Sequence, residues 1–98
     1  MMSTSDDKPL PAVGVFWIEE ADYPAALKMF EDGATLPPTW KDWLKMAEEM
    51  KKGLEAYGHP VMKVRINPAT FPAWCQAHGT TPGRQGRKAF VAEAVRER

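Results

Sequence analysis

VGVFWI, residues 13–18, is the stretch whose reading decides the fold. It is apolar, β-branched and aromatic, long enough for a strand and too short for a helix. Alternation puts Val13, Val15 and Trp17 on one face and Phe16 and Ile18 on the other, so both faces need covering. Its counterpart is VMKVRI, residues 61–66. There Met62, Val64 and Ile66 alternate with Lys63 and Arg65, the pattern of a half-exposed strand suited to a sheet edge.

The segments around these strands read as helices. Asp22 is the expected N-cap of the first, with Pro24 in its first turn, Tyr23, Ala26, Leu27 and Phe30 at helical spacing, and Asp32-Gly33 as its stop. Thr39 followed by an acidic Asp42 opens the second, whose stripe of Trp40, Trp43, Leu44, Ala47, Met50, Leu54 and Tyr57 runs to Gly58. Asn67-Pro68 and Thr70 offer two successive starts for a third, ended by Gly79, and Thr81-Pro82 caps a fourth running towards Arg96.

The expected order is β-α-α-β-α-α, an α/β fold with a small two-stranded sheet covered by four helices. Two strands joined through a helix pair are most simply parallel, linked by a right-handed crossover. A sheet of two strands is marginal alone, and the first strand has a free edge. Pairing of that edge with its copy in a second chain, through Val13, Val15 and Trp17, is expected to give a homodimer with a four-stranded sheet ordered 2-1-1′-2′.

The 98 residues suit a single globular domain over 12–98, preceded by a polar, proline-containing tail over 1–11 expected to be disordered. One cysteine excludes an intrachain disulfide, and no apolar run reaches the roughly 18 residues of a membrane span, so a cytoplasmic location without membrane contact is expected. Basic and acidic side chains balance at 13 each, which removes any global electrostatic case for nucleic acid. The charge is nonetheless uneven. Residues 1–38 hold two basic against seven acidic groups, residues 59–98 seven basic against two acidic, and the two ends should attract.

Three places carry residues suggestive of chemistry. Cys75 and His78 share a helical face, but Phe71 and Trp74 share it too, and a core position explains the cysteine better than a nucleophile does. A thiol enzyme using Cys75 is the third functional alternative, and a structural zinc would lack a fourth ligand, since Cys75, His78 and His59 supply three. The turn TTPGRQGRK, residues 80–88, offers a helix start, Gly83 and Gly86 for close approach, and Arg84, Arg87 and Lys88 for an anion. Anion or nucleic-acid binding there, extended by Arg96 and Arg98 along the fourth helix, is the second alternative. Against it, Arg87 lies on the stripe of Phe90, Val91 and Ala94, where its stem would cover the core and its guanidinium would meet Asp22 or Glu19. Lastly, the carboxyl ends of the strands gather Glu19, Glu20, Asp22 and Asn67, acidic groups suited to capping and, more remotely, to a cation or general base. No cofactor is expected.

Phe16-Trp17, Tyr23, Leu36-Pro37, Thr39-Trp40 with Trp43-Leu44, Val64 and Ile66, Pro68, Phe71 with Trp74-Cys75, and Gly83-Arg84 with Arg87 and Phe90 together resemble a family of small hypothetical proteins of proteobacteria. The resemblance spans roughly residues 12–95. It implies a bacterial, stand-alone cytoplasmic domain and brings no activity, cofactor or site residue with it. The leading expectation is a non-enzymatic interaction or accessory domain, homodimeric and open to a further protein partner.

Overall fold

The computed structural model describes residues 10–97. Of the tail expected over 1–11, residues 1–9 lie outside the described residues, as does Arg98. The described chain runs β1 (Val13–Trp17), α1 (Tyr23–Met29), α2 (Trp40–Ala56), β2 (Val61–Arg65), α3 (Phe71–Ala77) and α4 (Arg84–Glu97). Short 3-10 turns at Glu20–Asp22 and Gly33–Thr35 flank α1. The order is β-α-α-β-α-α, and the two strands pair in parallel from Val13 opposite Val61 to Trp17 opposite Arg65.

Local chemistry explains most element ends. The Thr39 hydroxyl accepts the Asp42 N–H at 3.2 Å and starts α2. Gly58 and Gly79, at φ 93° and 70°, close α2 and α3 in left-handed turns, with the following N–H groups of His59 and Thr80 bonded back to Leu54 and Cys75. Asp22 departs from expectation. It precedes α1 without making a side-chain cap, because its carboxylate accepts from Arg65 at 2.8 Å across the carboxyl end of the sheet. Thr81 likewise does not cap α4; its hydroxyl donates to Glu31.

Aromatic contacts run continuously through the core. Trp43, 1% exposed, meets Trp17 edge-on at 5.3 Å and also touches Phe16 and Tyr23. Phe16, Phe30, Phe71 and Phe90 follow one another in edge-to-face pairs, each worth about 0.5 to 1.5 kcal/mol beyond its buried area. An indole that touches Phe16 and Trp17, which point to opposite faces, lies at the margin of β1. α2 therefore flanks the strand as well as covering it. On the face of Gly14 the cover is α4: a β-carbon at Gly14 would fall 2.4 Å from Val91 and 2.7 Å from Val95, so the helix approaches here because the strand has no side chain.

The side chains named as dimer contacts serve the chain's own core. Val15 and Trp17 are each 8% exposed within the single subunit, and Val13 is half-buried. Any pairing at this edge must therefore use the backbone, and different residues of it.

Candidate interaction surface

Parallel pairing fixes which backbone groups of β1 are already used. Val13 donates to Pro60 and Trp17 accepts from Ile66, both towards β2, so alternation turns the N–H and C=O of Val13, Val15 and Trp17 to β2. The same groups of Gly14 and Phe16 turn to the free edge, and no group among the described residues bonds them. That edge ends abruptly. The Trp40 indole N–H donates to the Ile18 carbonyl at 2.9 Å, closing it one step beyond Phe16.

The open part of the edge lies in a groove of about 670 Å³. Its floor is residues 12–16, one wall is α4 with Val91, Ala92 and Val95, and Met50 of α2 stands opposite. Met50 is 48% exposed and Met46, one turn before it, 45%. Arg84, Lys88 and Arg96 rim the α4 wall. Among the described residues none of these three cations forms an ion pair, and no carboxylate lines the groove.

Arg87 also borders the groove but is committed elsewhere. Only 6% exposed, it donates through both terminal nitrogens to Asp32, at 2.8 Å each, while its guanidinium carbon stands 4.8 Å from the Phe16 ring and 4.7 Å from the Phe30 ring. A planar guanidinium fits this position because it stacks on the rings and forks onto the carboxylate at once. Its partner is thus Asp32, where Asp22 or Glu19 was expected. The hydrogen bonds from Arg87 hold the Asp32 carboxyl below its ordinary 3.8, against the opposing pull of burial.

The rest of the supposed anion turn is held by the same segment. Glu31 accepts from the Thr81 hydroxyl at 2.9 Å and its N–H donates to the Pro82 carbonyl. Gly83 is buried against the Glu31 side chain, and a β-carbon there would lie 3.0 Å from a carboxylate oxygen. Gly86 packs on the Thr81 carbonyl and the Cys75 sulfur. Residues 30–33 therefore clamp the start of α4, with carboxylates where an anion would sit. Arg84 and Lys88 alone of the five point to solvent.

Cys75 is fully buried, and burial, reinforced by Glu31, pushes its thiol up from 9.0, away from the thiolate a nucleophile needs. His78 stacks on Trp74 at 3.9 Å, donates from Nδ1 to the Trp74 carbonyl, and sets Nε2 3.4 Å from Glu93. It serves as the expected C-terminal cap of α3. Iodoacetamide applied to native protein near neutral pH is expected to leave Cys75 unmodified, with full labelling only in urea; rapid native labelling would contradict this placement.

At the carboxyl end of the strands, Asp22 pairs with Arg65, Asn67 accepts the Ala69 N–H, and Glu19 and Glu20 face water. Among the described residues no group of three or more His, Cys, Asp or Glu side chains is placed to hold a metal. A second hollow beside Pro24, Leu27 and Pro38 is bordered by Tyr23 and Trp40, whose polar tips already donate to Pro37 and Ile18. No described helix is long and apolar enough to cross a membrane.

Comparison with family models, with curated proteins and with solved structures returned no match.

Proposed function

We propose that this chain is a non-enzymatic interaction domain that accepts a strand along the free edge of β1. The unpartnered backbone groups of Gly14 and Phe16, opening into an apolar groove, carry this reading. Added strands gain affinity from main-chain hydrogen bonds and selectivity from pockets for alternate side chains, and this edge offers both. A two-stranded sheet also gains more from a third strand than a large sheet does. The reactive-looking side chains are engaged inside the fold: Arg87 on Asp32, Cys75 in the core, His78 on Trp74.

The homodimer expected from the sequence is the self-pairing form of this reading. Two antiparallel β1 strands meeting on a two-fold axis at Val15 would bond Gly14 of each to Phe16 of the other. Sedimentation from micromolar to high micromolar concentration measures that form. Selection of random peptides against the immobilised protein, mapped by amide chemical shifts, measures strand acceptance generally. Selected peptides should shift Gly14 and Phe16. A protein that stays monomeric while every selected peptide maps elsewhere would defeat the proposal.

A further inference from the structure

We infer that the strand accepted by the β1 edge is an extended segment of another protein in which carboxylates four positions apart flank an apolar residue. This rests on the strand-accepting reading above and adds the chemistry of the partner. The α4 wall sets the pattern. Val91, Ala92 and Val95 form its apolar middle, with Lys88 and Arg96 at its two ends. Those cations are eight residues apart on a helix, about 12 Å along its axis. Two side chains four positions apart on a strand face the same way and are separated by about 13 Å. A partner strand lying on β1 therefore places one carboxylate by Lys88, an apolar side chain over the valines, and a second carboxylate by Arg96.

A second copy of this chain answers the pattern poorly. Residues 12–16, AVGVF, bring no carboxylate, and the copy would set its own Lys88 and Arg96 beside the first pair. Like charges at a contact oppose association. Nucleic acid answers it no better. Phosphates would meet the cations but leave the valine wall and the free backbone groups unused, and Phe16, the aromatic ring of the floor, is engaged beneath the Arg87 guanidinium.

The test uses a fluorescein-labelled peptide with glutamates four positions apart, valine midway and threonines between, and a second peptide with lysines replacing the glutamates. Anisotropy should show the glutamate peptide binding at least about tenfold tighter, with the advantage falling as salt screens the charges. In K88E/R96E protein, whose altered side chains are exposed, the preference should invert. Amide spectra of the complex should change at Gly14 and Phe16. Equal or better binding of the lysine peptide to the unaltered protein would overturn the inference. A dimer with slowed Gly14 and Phe16 exchange would overturn it too, while upholding strand pairing at the edge. Peptide binding that leaves both amides unchanged, or binding of a mixed-sequence oligonucleotide in place of the peptide, would overturn both.

Discussion

Arg87→Ala should lower the stability of the protein by about 3 kcal/mol in urea melts at neutral pH, the lower end of what breaking a buried ion pair costs. Three losses combine. The two hydrogen bonds to Asp32 vanish, the Phe16 and Phe30 rings lose the plate between them, and a partly buried carboxylate is left alone. The Asp32 side chain keeps 28% of its surface in water, which places the loss at the lower end. Acid should erase the difference. Because Asp32 titrates below its ordinary value in the folded protein, the pair contributes fully above 3.8 and its contribution disappears as pH falls through the lowered value. The two proteins should therefore converge in strong acid. An Arg87→Ala midpoint at or above the unaltered protein's at neutral pH would mean that the guanidinium is held ready for a ligand rather than for Asp32.

A comparable loss is expected one residue earlier. Gly86→Ala would drive a β-carbon to 2.1 Å from the Thr81 carbonyl oxygen and 2.9 Å from the Cys75 sulfur. Neither contact yields cheaply: the carbonyl accepts the Gly83 N–H at the start of α4, and the sulfur is fully buried. α4 would have to lift from α3, displacing Arg87 with it, at a cost of about 3 kcal/mol, the upper part of the usual range for overpacking. Gly53→Ala supplies the contrast. Its β-carbon meets nothing within 4 Å in the middle of α2, so there the exchange should stabilise by roughly 0.5 to 1 kcal/mol. Thermal or urea midpoints that move in the same direction for both variants would contradict the packing described for Gly86.

How far the chain could be read in advance follows from the range of the forces involved. The strand at residues 13–18, the Thr39 cap and the terminating glycines at 58 and 79 are encoded by near neighbours, and alternation or a single side chain reveals them. Arg87 was readable as a core-covering cation because its stripe is local, but its partner was not. Asp22, Glu19 and Asp32 are alike in sequence, and Asp32 lies 55 positions from Arg87. What separates them is tertiary: Arg65 takes Asp22, and the turn after α1 aims Asp32 inward. Gly83 and Gly86 resembled an anion-binding turn because such turns and close-packed helix starts require the same missing β-carbon. The groove had no local signal at all. It depends on Gly14 admitting α4 and on Trp40 reaching back 22 positions to close the edge at Ile18. The side chains at Val13, Val15 and Trp17 drew attention to the right strand, whereas its open hydrogen-bonding groups belong to the residues between them.

Residue-resolved amide hydrogen exchange along β1 tests the strand-accepting edge most directly. In dilute protein the amides of Val15 and Trp17, bonded to β2, should exchange slowly, while those of Gly14 and Phe16 exchange far faster. Saturation with the glutamate peptide should slow Gly14 and Phe16 towards the rates of their neighbours. Four amides equally protected in dilute monomer, or Gly14 and Phe16 still fast in a saturated complex, would contradict the account.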